Sequence, residues 1–265
     1  MLDRIAILAS DEPHHDYMIA LMQMNFHVVL VVKEPGSRMR ARARREKRWR
    51  DYIYMTYHNW RRTLLGLNSY RSKYFSDACL VPPGRVCPQT TVDYINDPKV
   101  VEMLVDAKPD LTIIMATSIL KCEVLEAAST IINVHGGFLP YYRGNHCFFF
   151  ALYNREFDKI GSTIHFVNAG IDTGDIIEAV VPPIKVTDNA EQLYSRAEKM
   201  AIHRLVDLIT LVQQGGEFPR RGQLFKGRLY KTRDRKPWHD LHHWFRCITG
   251  AHRRALTAWK GQIVN

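Results

Sequence analysis

Cysteine is sparse and unpatterned: five residues among 265 (Cys79, Cys87, Cys122, Cys147 and Cys247), odd in number and without a C-x-x-C pair. This excludes a disulfide framework and a zinc ribbon, and it fits a reducing, cytoplasmic setting. Long apolar runs are also missing. No stretch approaches the roughly 20 apolar residues that span a bilayer. The opening MLDRIAILASDEPHHD breaks into acids and histidines after a few apolar residues, so neither a signal peptide nor stable membrane insertion is expected. Glycine is absent from the first strand-to-helix turn, ASDEPHHD, where a dinucleotide fingerprint needs backbone close to a pyrophosphate. What is present is ordinary globular composition, 46% hydrophobic and 24% charged, with 37 Lys and Arg against 27 Asp and Glu. The resulting net charge of +10 invites nucleic acid, an anionic membrane or a phosphorylated small molecule.

The chain opens as β-α-β: Ile5 to Ala9 is apolar, Met18, Leu21 and Met22 recur at helical spacing, and Val28 to Val32 is β-branched. Residues 38–50 read RMRARARREKRWR and run into Tyr52, Tyr54, Tyr57, Trp60, Leu64 and Leu65, predicting one or two basic helices. Residues 67–96, with Pro82, Pro83, Gly84 and Pro88, read as a long connection with a short strand near Val86. A helix follows over 97–108, a buried strand over 111–115, and a helix through Val124 and Leu125 capped by Thr117 or Ser118. Strands are expected at 131–134, 162–167 and 176–181, an aromatic helix at 145–153, and a long helix from about Asp188 to Gln214, stopped by Gly215-Gly216. Alternation of this kind predicts an α/β, Rossmann-like, mostly parallel sheet with helices on both faces and ligands at the carboxyl ends of the strands. The pattern divides the chain into a catalytic domain, 1–215, and an extension of short strands and a helix, 216–265.

Two segments place polar residues at strand ends in glycine-rich turns: INVHGGFLPYYRGN (132–145) and GSTIHFVNAGIDTGDII (161–177). Asn133 and His135 alternate with Ile132 and Val134, so amide and imidazole share one side of a strand. Asp172, among Gly170, Thr173 and Gly174, can supply a carboxylate to them. Such a set suits acyl transfer to an amine: the amide donates to an oxyanion, the imidazole handles the proton, and the carboxylate orients it. No serine or cysteine sits where a covalent nucleophile is expected, which favours direct attack by the amine. Spacing alone also allows Asn133 as a turn cap, His135 as a satisfied strand-end group and Asp172 as a turn residue.

These two motifs, in order and with Asn133 and Asp172 39 positions apart, closely resemble the formyltransferases that use 10-formyltetrahydrofolate. The resemblance covers residues 105–182 well and the opening β-α-β weakly. It implies Asn133, His135 (protonated) and Asp172 as the catalytic triad and 10-formyltetrahydrofolate as cosubstrate. MATSILK (115–121) is similar to the family's folate-binding turn, which implies pterin contacts from Met115, Ser118, Ile119 and Leu120, with Val167 and Ile171 on the opposite wall. Arg143, Gly144 and Asn145, closing the first motif, and His14, at the ligand edge after the first strand, are candidates for the acceptor. One departure stands out: the family's Pro-Ser-Leu-Leu-Pro after the His is here Gly136-Gly137-Phe138-Leu139-Pro140, which implies an altered acceptor pocket.

Within the family, the glycine-free first turn argues against glycinamide ribonucleotide as acceptor. The roughly fifty residues after Gly216 are too few for the tRNA-binding barrel of methionyl-tRNA formyltransferases. The chain most resembles the sugar-nucleotide N-formyltransferases, such as those acting on GDP-perosamine, which implies a nucleotide-linked amino-dideoxy sugar as partner, surface-glycan (O-antigen) synthesis and a homodimer through the carboxyl-terminal portion. Residues 38–50 and 220–236 each carry a net +7, leaving −4 for the rest. Either could hold a pyrophosphate through arginine forks, with Tyr52, Tyr57, Trp60 or Trp238 stacking on a base, or be solvated surface. Alternatives are a hydroxyornithine acceptor, and a non-catalytic protein binding nucleic acid or an anionic membrane; the nucleotide-sugar reading needs no nucleic acid. His239, His242 and His243 are read as a surface helix rather than a metal site, so no metal is expected, and His146 and His165 as structural.

Overall fold

The computed structural model describes residues 2–77 and 81–259; Cys79 lies outside them. In chain order the elements are β1 (Arg4–Ala9), α1 (Pro13–Asn25), β2 (His27–Lys33), α2 (Gly36–Arg45), α3 (Trp49–Leu64), α4 (Leu67–Tyr74), β3 (Gln89–Thr91), α5 (Pro98–Ala107), β4 (Leu111–Met115), α6 (Cys122–Ala127), β5 (Thr130–His135), β6 (Tyr142–Gly144), α7 (Cys147–Asn154), β7 (Ser162–Phe166), β8 (Ile176–Val180), α8 (Ala190–Gln213), β9 (Arg228–Tyr230), α9 (Pro237–Ile248) and α10 (Ala251–Ala258). Seven strands form one sheet in the order β3-β2-β1-β4-β5-β7-β8, and β6 pairs with β9 apart from it. The run from β3 to β5 is parallel; β7 is antiparallel to β5 and to β8. The mostly parallel α/β sheet expected from the sequence is therefore present, with its strand order reversing between β1 and β4, the place where such sheets bind ligands.

Side-chain alternation assigns the faces. Ile5, Ile7, Ile113, Met115, Ile132, Val134 and Ile164 pack with Met18, Met22, Leu205 and Ile209 of α1 and α8. Ala6, Leu8, Ile114 and Ile131 pack with Val100, Leu104 and Val124 of α5 and α6. A third cluster joins Phe148, Phe149 and Phe150 of α7 and Leu193 of α8 to Tyr230 and Leu256 of the carboxyl-terminal segment. Tyr230 lies flat on Phe150, ring centroids 3.9 Å apart and planes 13° apart, so β9 is packed into the body of the molecule.

Three local expectations are corrected. The span 67–96 is not a bare connection: it carries α4, and its strand is Gln89–Thr91, because Val86 lies beside Pro83–Arg85, one turn of 3-10 helix. The helix at 122 is not capped by Thr117 or Ser118. Its N-cap is Lys121, and the Ser118 hydroxyl donates instead to buried Glu34 (3.0 Å) while accepting from Arg42 (2.8 Å). The aromatic helix starts at Cys147 rather than 145, after His146 in left-handed conformation (φ +60°). The Arg42–Glu34 pair (2.6 Å), with Arg42 over the Tyr94 ring, ties basic helix α2 to the ends of β2 and β4.

Glu198 of α8 is wholly buried, bonded to the Ser162 hydroxyl (2.6 Å) with its second oxygen unpartnered. Burial pushes its carboxyl up to about 7, against Ser162 and Arg71, which pull it down. A carboxyl whose folded value lies above its unfolded one near 4.5 gives stability that is complete below that value and is lost as pH rises towards 7, on the order of 3 kcal/mol in all. Urea unfolding between pH 4.5 and 8 should show wild type losing this stability relative to Glu198→Gln. Parallel curves for the two proteins would show that Glu198 titrates normally.

Candidate active site

The site gathers at the carboxyl ends of the central strands around Asp172. Antiparallel pairing sets Asn133 of β5 opposite His165 of β7, and His135 opposite Thr163, so all four lie on one face of the sheet. A register shift between Ile164 and His165 in the β7–β8 pairing falls beside His165, where a bulge re-aims a side chain. The Asn133 amide nitrogen is 3.1 Å from His165 Nε2 and 3.5 Å from Asp172 Oδ1. Because His165 Nδ1 lies 2.7 Å from the Phe166 carbonyl, which can only accept, the ring's proton sits on Nδ1 and its Nε2 accepts from Asn133. Asp172 Oδ2 accepts the Gly144 N–H (2.8 Å) and faces His135 Nδ1 at 3.6 Å.

Asp172 occupies the left-handed region (φ +50°), which Asp tolerates better than most residues. Two long-range braces fix its turn. Gln223 donates to the carbonyls of Asp172 (3.1 Å) and Gly174 (2.8 Å), and Arg143 donates to the Ile171 carbonyl (2.7 and 3.0 Å) and to that of Gly227 (3.3 Å). Burial alone would raise the Asp172 carboxyl, but His135, His165 and the Gly144 N–H together hold it well below the usual range. It is therefore a carboxylate at any ordinary pH.

His135 is buried, with Nε2 3.2 Å from the Tyr142 carbonyl. Burial lowers its pKa more than Asp172 raises it, so the resting ring is neutral, which corrects the protonated state expected from the resemblance. Cys147 lies 3.8 Å from His135 Nε2. Burial and the Asp172 charge push its thiol well above the ordinary value, so it remains protonated and no thiolate nucleophile is available.

At Gly137, within the segment that departs from the family's usual one, a side chain has no room. A Cβ there would overlap His135 Nε2 and come within 2.8 Å of the Tyr142 carbonyl and 2.9 Å of Cys147 Cβ. The His135 ring occupies the space that any side chain at 137 would need.

The other expected site residues divide. Leu120 and Val167 meet in one apolar cluster, and Ile119 is 66% exposed beside them. Ile171 is half-buried at the start of the Asp172 turn. Met115 is enclosed on the opposite face of the sheet, among the residues under α1 and α8, and Ser118 is occupied by Glu34 and Arg42. His14 does not face a ligand edge: it is buried, its Nε2 3.0 Å from the Tyr194 hydroxyl, and burial first, then the charges around it, hold it well below its ordinary pKa. Arg143 braces two loops from a buried position, Gly144 gives its N–H to Asp172, and Asn145 is exposed while its N–H bonds the Tyr230 carbonyl (2.8 Å). His165, read as structural, stands inside the cluster; its signal was the alternation in STIHF, which puts it on the same face as Thr163. Gln223 gave no signal, because only the fold brings the chain 51 residues on back to Asp172. His239, His242 and His243 take separate partners: the Lys236 N–H, the Tyr153 hydroxyl and Cys247. Among the described residues no group of three or more potential metal ligands gathers.

Comparison with known proteins agrees with this architecture. The chain is 31% identical over 160 residues to a methionyl-tRNA formyltransferase of Desulforamulus reducens, an overlap that covers 59% of this chain and 50% of the relative. It thus spans about half the length, or less, of the curated relatives it matches. In fold it resembles a sugar N-formyltransferase from a Shewanella species (TM-score 0.56, 18% identity, 88% of this chain and 78% of that one). It also resembles a sugar 3N-formyl transferase solved with dTDP and 5-N-formyl-THF (TM-score 0.54, 17% identity, 89% and 72%). The formyl transferase family profile matches residues 3–209, most of the chain and every strand of the main sheet, and the protein belongs to that family.

Proposed function

We propose that this protein transfers a formyl group from 10-formyltetrahydrofolate to the amine of a nucleotide-linked amino-dideoxy sugar in surface-glycan synthesis. The observation that carries the reading is the Asp172 cluster: a buried carboxylate, two imidazoles and an amide at the ligand edge of a formyl transferase sheet. The sugar acceptor is supported by the fold likeness to sugar N-formyltransferases, one of which was solved with dTDP and a formyl-folate. Leu120, Val167 and the exposed Ile119 offer an apolar wall for a pterin. A homodimer belongs to the same reading: α9 presents Trp238, Leu241, Trp244, Phe245 and Ile248 to solvent, an apolar strip that a second copy would cover.

In the proposed mechanism the neutral amine attacks the formyl carbon, the new C–N bond forms, and the carbonyl oxygen takes the negative charge. Asn133 donates to that oxygen with the N–H that at rest makes only the long 3.5 Å contact to Asp172. Neutral His135 accepts the proton released by the attacking nitrogen, and the imidazolium is stabilised by Asp172 on one side and the Tyr142 carbonyl on the other. Collapse breaks the bond to N10 of the folate, which leaves with the proton from His135.

A second reading is favoured by the identity with methionyl-tRNA formyltransferases, in which the acceptor is a charged tRNA. Tetrahydrofolate release should be followed with GDP-, dTDP- and UDP-linked amino-dideoxy sugars, methionyl-tRNA and hydroxyornithine. Turnover with one nucleotide sugar supports the proposal; turnover with tRNA or hydroxyornithine alone replaces it, and silence with all five returns the non-catalytic reading.

With the active acceptor, Asn133→Ala should lower kcat by about 10²- to 10³-fold, the usual effect of losing one oxyanion donor. Its unfolding midpoint should scarcely change; near-normal turnover would remove Asn133 from the site. Gly137→Ala, which displaces the His135 ring, should lower kcat by about 10²-fold with KM less affected. Because His135 must be neutral and its pKa is lowered, kcat should stay flat down to pH 6.5 and fall only below it. An acid limb at pH 7 or above would show that a different group takes the proton.

A further inference from the structure

A second charged constellation gathers where α3 meets the residues just before α7 and α9. From α3 come His58, Arg61 and Arg62; from the segment before α9 comes Arg235; and from the start of α7 comes His146. The His58 and His146 rings are 4.4 Å apart. Two carboxylates serve the three guanidiniums, and both are already shared. Asp240 accepts from Arg235 (2.5 and 3.1 Å) and from the Tyr57 hydroxyl (2.8 Å), and Arg61 reaches it only at 3.5 Å. Glu12 accepts from Arg62 (2.7 Å) and from Arg71, which also pairs with Glu191. Arg61 Nε, Arg62 Nε, His58 Nδ1 and His146 Nε2 are enclosed without a hydrogen-bond partner.

We propose that this cluster is an anion subsite that takes the phosphoryl groups of a small phosphate or diphosphate ester, and that it, rather than the α2 arginines, holds the diphosphate of the acceptor. The second half of this statement rests on the function proposed above.

The position fits that role. His146 follows Asn145 and Gly144, whose N–H bonds the Asp172 carboxylate, so the cluster begins two residues along the chain from that contact. His146 is held in left-handed conformation at the N-cap of α7, adding the positive end of an eight-residue helix to the guanidinium charges. The electrostatics agree. Burial first and then Arg61 push the Arg235 guanidinium down to about 10; burial and then Arg235 push His58 to about 4 and His146 well below its ordinary value. Three cations and two imidazoles kept neutral by them are a field short of negative charge. A phosphate dianion would relieve it and raise both imidazole pKa values, so binding should take up protons. By contrast, Arg44 and Arg45 of α2 are exposed, and Arg42 is committed to Glu34 and Ser118.

The test is calorimetric titration of the full chain with pyrophosphate and with GDP, UDP and dTDP at pH 7, in two buffers of different ionisation enthalpy. Binding with net proton uptake is expected. Affinity for pyrophosphate should fall at least tenfold in Arg61→Gln, recover in part in Arg61→Lys, and remain unchanged in Arg44→Gln; His146→Gln should reduce the proton uptake. Thermal unfolding of each variant identifies any that fails to fold, and Arg61→Gln and His146→Gln fail independently. Wild-type affinity in both variants, or a loss confined to Arg44→Gln, overturns the subsite. Arginine-dependent pyrophosphate binding without turnover of any nucleotide sugar keeps the subsite and removes the sugar reading. Sugar turnover with KM unchanged in Arg61→Gln does the reverse.

Discussion

The buried carboxylate of Asp172 is the constraint on which the rest of the site depends. An ionised group largely removed from water must be surrounded by donors, and no one segment of this chain supplies enough of them. The demand is met by the Asn133 amide of β5 and the N–H of Gly144 at the end of β6, with the His135 and His165 rings standing 3.6 Å away. The main chain of the turn is then braced by Arg143 and by Gln223 from the carboxyl-terminal segment. The same carboxylate shapes its neighbours: it is ionised, so it can steady a proton on His135, and its charge adds to burial in keeping the Cys147 thiol protonated. One left-handed residue thus ties β5, the loop after it and the carboxyl-terminal segment into a single unit.

The basic residues have three distinct fates. Arg42 is structural, clamped between Glu34 and Ser118 and stacked on Tyr94, so that α2 docks against the turn after β4. Arg71 is also structural, pairing Glu12 after β1 with Glu191 of α8. Arg61, Arg62 and Arg235 are drawn together with fewer carboxylates than guanidiniums. The net charge of +10 is therefore not one surface property. Part of it ties α2 to the sheet and α4 to α1 and α8, part is solvated along α2, and part converges where α3 meets the segment before α9.

Much of this was legible in the residues. The β-α-β alternation, the apolar runs of β1, β4 and β5 and the glycine stop of α8 specify a parallel sheet, because each follows from local periodicity. Asn133 and His135 are side by side for the same reason, the two-residue repeat of a strand. Local rules fail where contacts are remote in sequence. His14 follows a strand and belongs at the ligand edge by any local rule, yet α8 covers it with Tyr194. Met115 ends the correct strand but points to the wrong face. Thr117 and Ser118 are good caps by composition, but the buried Glu34 competes for the Ser118 hydroxyl and wins it.

The amino-acid sequence by itself determined the element order, the sheet type and the identity of the amide, imidazole and carboxylate, because these depend on periods and spacings within a few residues of one another. Only the tertiary structure decided the protonation states of His135 and Asp172, the need for glycine at 137, the entry of His165 and Gln223 into the site, and the meeting of Arg61, Arg62 and Arg235. The glycine at 137 depends on how its near neighbours His135, Tyr142 and Cys147 pack around it, and the others on burial and on groups brought within a few ångströms by chain tens to hundreds of residues away. Desolvation and Coulomb energy depend on distance in space, which only the folded chain supplies.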